Sequence, residues 1–172
     1  LEHGADLVIH SLTKFFGGHS DLTAGSVTAS SKLIQKLLPE QRLLGGCSDP
    51  QTAWLALRSI RTMGLRVQKQ LDNALALARF LAQDSRVRYV NYPGLETPPR
   101  QELAWRFRRN GYGPTLGVRS KDDLGLGNEF MPRRKLVEYM GTLGGVRTSV
   151  AHPATAFRQE FTPEQLIEHG ME

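Results

Sequence analysis

Ala5-Asp6-Leu7-Val8-Ile9-His10-Ser11-Leu12-Thr13-Lys14, followed by Phe15-Phe16-Gly17-Gly18-His19-Ser20-Asp21, decides how the chain is read. Leu7, Val8 and Ile9 form a short unbroken apolar run, the pattern of a strand covered on both faces. The predicted strand is Asp6–His10, and a polar turn carrying Lys14 follows it. Ser11 and Thr13 stand two apart, so in an extended chain their hydroxyls face the same way. A desolvated lysine beside two hydroxyls suits a Schiff-base cofactor with a phosphate tail: the amine reacts and the hydroxyls hydrogen-bond the phosphate.

Other chemistry fits these residues poorly. His10, His19 and Asp21 have no spacing that puts metal ligands on one face. Nothing orders Ser20, His19 and Asp21 as nucleophile, base and orienter. The glycines let the backbone turn tightly, and His19 and Asp21 are expected to hold the loop.

Three segments in order carry a resemblance. Gly4-Ala5-Asp6 … His10-Ser11-Leu12-Thr13-Lys14-Phe15 … Gly17-Gly18-His19-Ser20-Asp21 resembles the lysine segment of the Cys/Met-metabolism family of pyridoxal-phosphate enzymes. Tyr92-Pro93-Gly94-Leu95 resembles that family's linker into its C-terminal domain. Leu143-Gly144-Gly145-Val146 … His152-Pro153-Ala154 resembles its second signature, near the substrate. The family includes cystathionine γ-synthase, cystathionine γ- and β-lyase and methionine γ-lyase.

The resemblance implies an α/β fold made of two parts. Residues 1–65 would be the C-terminal part of a cofactor-binding large domain, aspartate-aminotransferase-like and of fold type I. Residues 66–172 would be a truncated, smaller α/β C-terminal domain. It implies that Lys14 carries pyridoxal 5'-phosphate and shuttles protons, and that Ser11 and Thr13 contact the phosphate. Thr148 stands where the family has a serine near the substrate carboxylate and keeps the hydroxyl. Arg147 replaces a glutamate common in the cystathionine enzymes, which reverses the charge beside the pocket. The implied activity is transsulfuration, at the C–S or C–O bond at Cγ of homoserine- or homocysteine-type amino acids. His152-Pro153-Ala154 favours the γ-synthase, γ-lyase and methionine-lyase branches over the β-lyase. The parent is expected to be a cytoplasmic homotetramer, a dimer of dimers with shared active sites, acting on a small amino-acid substrate.

The family's other site parts would lie outside the chain. Upstream would be the aspartate on the pyridine nitrogen, the stacking tyrosine, the glycine-rich phosphate turn and an interface tyrosine–arginine pair. The arginine that holds the substrate carboxylate would come shortly after Glu172. The chain begins at Leu1 a few residues before a core strand, and so reads as a piece of a longer protein that is catalytically inactive by itself. A non-catalytic truncated remnant is the alternative.

Composition bounds the remaining classes. Hydrophobic residues make up 40% and charged ones 23%, which is ordinary for a globular protein. The apolar runs are far shorter than the roughly 20 residues of a membrane span, and no charged-then-apolar segment opens the chain. A lone cysteine, Cys47, cannot form an internal disulfide and reads as an incidental thiol. The net charge of +5 and pI of about 9.7 leave an anion-binding domain open. No nucleic-acid-binding motif accompanies the basic clusters at Arg106, Arg108, Arg109 and Arg133, Arg134, Lys135, which read as solvated helix faces.

Periodicity places the remaining elements. A second strand is predicted at Gly25–Ala29, and a short helix at Ser31–Leu38 ended by Pro39, before a loop to Pro50. Apolar residues from Ala53 to Leu81 recur every three or four positions, with Asp49 as cap and a junction expected near Gly64. Further strands are expected around Val87–Tyr92, Thr115–Arg119 and Val146–Ala151. Helices are expected at Pro99–Arg109, Pro132–Met140 and Pro163–His169, the last with a capping box from Thr162 to Gln165.

Overall fold

The structure is a computed structural model that describes residues 1–95, 106, 111–121, 129–130, 132–156 and 159–169. The predicted helix over Pro99–Arg109 lies outside the described residues, Arg106 aside. The described chain forms two compact units: Leu1–Gly64 with Leu143–Val146, and Leu65–Thr142 with Arg147–Glu172.

The first unit begins with β1 (Leu7–Ser11), which pairs antiparallel with β2 (Gly25–Ala29) from Leu7↔Ala29 to Ser11↔Gly25. Within this chain β1 is not covered on both faces as its apolar run suggests: among the described residues it pairs with β2 alone, and Ile9 is 70% exposed opposite Val27 at 45%. α1 spans Ser31–Leu44, with the Ser30 hydroxyl accepting from the Leu33 N–H. Pro39 lies inside α1 and does not end it. No residue of α1 is buried, so water can satisfy the Gln35 carbonyl that a proline at position 39 leaves without a helical donor. Gly45, at φ 76°, closes the helix in the left-handed region. α2 (Pro50–Ile60) starts as its sequence predicts, with the Asp49 carboxylate accepting from the Thr52 N–H at 3.0 Å. The hydroxyl and N–H of Thr52 hold that carboxyl below the usual carboxylate range.

The long apolar pattern breaks earlier than the sequence suggests. α2 ends at Ile60 and α3 (Met63–Ala82) starts two residues beyond Arg61, so Gly64 lies within α3. Arg61 and Thr62 turn on i→i−3 hydrogen bonds to Arg58 and Ser59.

The second unit packs α3 against β3 (Val87–Asn91). Ala74, Ala78, Val90 and Tyr92 are buried together, with Leu75, Leu81, Val87, Leu95, Tyr112 and Leu116 around them. Small residues on α3 let the helix lie close to the strand. β3 pairs antiparallel with β4 (Gly117–Ser120). The Tyr92 hydroxyl donates to the Gly113 carbonyl at 3.0 Å, fixing the turn at Pro93-Gly94. Asp84 receives the Arg86 guanidinium and its N–H, which hold the carboxyl well below its ordinary range.

Pro132–Met140 is not a helix over its length. Its end forms β5 (Glu138–Tyr139), which pairs in parallel with β6 (Ser149–Val150). Helical periodicity is weak evidence in a short segment when a neighbouring strand can take its backbone hydrogen bonds. The Glu138 N–H donates to the Thr148 carbonyl and the Met140 N–H to the Val150 carbonyl. α4 (Pro153–Ala156) and α5 (Pro163–Glu168) follow, α5 with the full capping box from Thr162 to Gln165.

Ala78 is 0% exposed, whereas Phe80 on the same helix is 65% exposed. Ala78→Leu should therefore destabilise the second unit by about 1–3 kcal/mol. Phe80→Ser should stay within about 0.5 kcal/mol of the parent. Urea midpoints of the two variants check this; equal midpoints would mean that α3 does not pack through Ala78.

Candidate functional site

β1 delivers the chain to a single wide turn, Leu12–Phe16, that carries Lys14. The Gly17 N–H reaches back to the Leu12 carbonyl at 2.8 Å and the Gly18 N–H to the Lys14 carbonyl at 2.8 Å. Lys14 itself is not helical (φ −89°, ψ −122°) and is half-buried. Gly17 and Gly18 are buried. A Cβ on Gly17 would lie 2.8 Å from the Leu12 carbonyl oxygen and 3.0 Å from Leu22 Cγ, so only glycine fits that close approach. The turn packs against α2, whose Ala56 and Ser59 are buried.

Ser11 and Thr13 do not share one strand face, because the extended chain stops at Ser11. The Ala24 carbonyl captures the N–H groups of Leu12 (2.9 Å) and Thr13 (3.3 Å), which bends the chain into the turn. The Thr13 hydroxyl donates to that same carbonyl at 3.3 Å and accepts from the Ala24 N–H at 3.1 Å. The Ser11 hydroxyl makes no hydrogen bond among the described residues and is exposed.

These hydroxyls can meet an anion. Ser11 has a donor to give. Thr13 can turn its proton away from Ala24 at little cost, since that carbonyl keeps two N–H donors. His19 Nδ1 meets the Gly17 carbonyl at 2.7 Å and so holds the loop, as its position suggests. Asp21 does not: it is exposed and makes no hydrogen bond among the described residues.

Leu143–Val146 lies across the turn as a strap. The Val146 N–H donates to the Gly18 carbonyl at 3.0 Å. Gly144, at φ +90°, sits so close that a Cβ there would lie 2.6 Å from Phe15 N and 2.7 Å from the Lys14 carbonyl carbon. The lysine motif and Leu143–Val146, the first part of the second motif, thus meet within one compact unit.

The remaining expected site residues belong to the second unit. Arg147 pairs with Glu138 and its side chain is 63% exposed. Thr148 is exposed and gives its carbonyl to the Glu138 N–H. His152 Nδ1 lies 2.6 Å from the Thr155 hydroxyl, at the start of α4. No group of His, Cys, Asp and Glu able to hold a metal occurs among the described residues. Among them, no helix is long and apolar enough to cross a membrane.

Sequence reasoning marked Gly17-Gly18 and Gly144-Gly145 as special backbone positions but missed which peptide groups they bring together, and it missed the Ala24 carbonyl altogether.

Known proteins share this arrangement of elements. The family described as Cys/Met metabolism PLP-dependent enzyme matches residues 1–172. The chain belongs to that family. It is 35% identical to L-methionine gamma-lyase of Pseudomonas putida over 99% of this chain and 43% of that protein. It is 34% identical to chloroplastic cystathionine gamma-synthase 1 of Arabidopsis thaliana, over 98% of this chain and 30% of that protein. The crystal structure of cystathionine gamma synthase from Xanthomonas oryzae pv. oryzae in complex with cystathionine superimposes with a TM-score of 0.90 at 34% identity. That match covers 99% of this chain and 44% of the solved one. The chain thus spans less than half the length of these relatives, and its fold is that of part of a fold type I enzyme. The family depends on pyridoxal phosphate.

The two hydroxyls of the turn should separate in their effects. Thr13→Val keeps the shape but leaves the Ala24 N–H without an acceptor, and should destabilise the first unit by about 1–3 kcal/mol. Ser11→Ala removes no hydrogen bond and should leave the unfolding midpoint unchanged. Chemical denaturation of both variants measures this, and a stable Thr13→Val would remove Thr13 from the framework of the turn.

Proposed function

We propose that this chain is part of a pyridoxal-phosphate-dependent transsulfuration enzyme acting at the C–S or C–O bond at Cγ of a homoserine- or homocysteine-type amino acid. The observation that carries the reading is the half-buried Lys14 on a glycine-closed turn, with the free hydroxyl of Ser11 beside it in sequence. The names of the relatives support the reaction class: they are gamma-synthases and a gamma-lyase.

Pyridoxal phosphate, when bound, supplies the electron sink that stabilises negative charge next to the amino acid's α-carbon. Ser11 and Thr13 would donate to its phosphate and Lys14 Nζ would hold it covalently; released from that bond, Lys14 Nζ would serve as the base that moves a proton between substrate carbons. Gly17 lets the turn close where a side chain would meet the Leu12 carbonyl, and Gly18 takes the left-handed φ of 70° that follows it. Thr148 offers its hydroxyl to the substrate carboxylate. We place the whole enzyme in the cytoplasm as a homotetramer with shared active sites, on the family resemblance; neither nucleic acid nor membrane is a partner in this reading.

Lys14→Ala in the longer enzyme should abolish cofactor that borohydride fixes to the protein, and with it turnover of γ-substituted amino acids. The 172-residue chain alone should stay at the rate of free cofactor. Peptide mapping after reduction reads the first outcome. Label at another lysine would overturn the assignment of Lys14.

Arg147 sets the charge preference for the distal end of the substrate. A guanidinium favours a carboxylate, such as that of a succinyl ester, over an ammonium group. Glu138 offsets part of that charge, so the bias should be modest, about tenfold or less. Arg147→Gln should shift kcat/KM away from acidic substrates by that factor. An unchanged ratio would return Arg147 to its surface pair with Glu138.

A further inference from the structure

We propose that Gly144 is a positioning residue for Lys14. The bare backbone of the Leu143–Val146 strap lies against the Lys14–Phe15 peptide and sets the direction in which the lysine leaves the chain. The inference rests on the assignment of Lys14 made above.

Two independent contacts carry it. The first is steric. The positions where a Gly144 side chain would begin are already taken, at 2.6 Å by Phe15 N, at 2.7 Å by the Lys14 carbonyl carbon and at 3.1 Å by Lys14 Cα. Real Cβ atoms do not come so close, so any other residue must push the strap and the turn apart. All three blocking atoms are backbone, which cannot swing aside as a side-chain tip can. Gly144 also has φ +90°, where an L side chain is strained in any case. The second contact is the hydrogen-bond relay through Gly18. Its N–H fixes the Lys14 carbonyl, and its carbonyl takes the Val146 N–H at 3.0 Å. The strap therefore meets the Lys14–Phe15 peptide by contact and the Gly18–His19 peptide by hydrogen bonding. Gly18 N–H in turn holds the Lys14 carbonyl, so both contacts bear on the backbone that leads out of Lys14.

The test uses the chain as it exists and needs no cofactor. Trace acylation of lysine amines with acetic anhydride, read by peptide mapping, compares Lys14 with Lys32 and Lys36, which are exposed on α1. In the parent chain Lys14, half-buried, should label more slowly than both. In Gly144→Ala its rate should rise to theirs, and hydrogen exchange at the Gly18 amide should quicken by about tenfold. The exchange of the Ala78 amide, in the other unit, should not change. Gly141→Ala is the control, since nothing lies within 4 Å of a Cβ there.

If Gly144→Ala prevents the first unit from folding, Val146→Pro asks the same question, because it deletes the N–H that Gly18 accepts. Faster exchange with unchanged Lys14 labelling would make the strap a staple of the unit and overturn its positioning role. Unchanged labelling and exchange in both variants would overturn the contact altogether. Failure of Lys14 to take the cofactor in the longer enzyme would remove the functional assignment while leaving the labelling result intact.

Discussion

The peptide groups of Gly18 hold the C-terminal end of the Lys14 turn. The N–H takes the Lys14 carbonyl and the C=O takes Val146 N–H, in a buried setting where an unpaired peptide group would cost about 1–3 kcal/mol. Everything else about the site follows from that constraint. The turn can close only if Gly17 lacks a side chain, because Leu12 O and Leu22 already fill the space. The strap can reach Gly18 only if Gly144 lacks one, because the Lys14 backbone fills that space. Ala24 then fixes the other end by receiving the N–H groups of Leu12 and Thr13. The backbone of the turn is thus held by other backbone at both ends, with the Thr13 and His19 side chains adding hydrogen bonds to it.

The residues expected to carry chemistry stand out because their types are unusual in combination. A lysine straight after Ser11-x-Thr13 at the end of an apolar run has few structural explanations, and Gly17-Gly18 announces a close backbone approach. Helix caps were legible for a similar reason. Asp49-Pro50 and the Thr162-to-Gln165 box are local, and the hydrogen bonds they foretell span only three residues.

What was not legible depends on distant partners. The pattern from Pro132 to Met140 has helical spacing, yet Glu138–Tyr139 is a strand because Thr148 and Val150 take its hydrogen bonds. No local signal announces a partner ten residues downstream. Pro39 looked like a stop, since proline removes a donor; a helix with no buried residue lets water replace that donor, and α1 continues to Leu44. Ser11 and Thr13 looked like neighbours on one face. That reading assumed an extended chain, and it was the Ala24 carbonyl, eleven residues from Thr13, that ended the strand.

A site built from backbone has a particular relation to sequence. Backbone N–H and C=O groups are supplied by every residue except proline, so most side chains around such a turn can change without moving it. The constraint falls on a few positions where a side chain cannot be accommodated, here Gly17 and Gly144. That explains how relatives sharing only about a third of their residues with this chain keep its fold. It also separates two kinds of difference. Arg147, by contrast, is held by a side-chain pair with Glu138 and is 63% exposed, so a change of charge there breaks one exposed ion pair and no backbone hydrogen bond around Lys14. Sequence change is therefore tolerated at positions held by side chains and refused where bare backbone meets the turn.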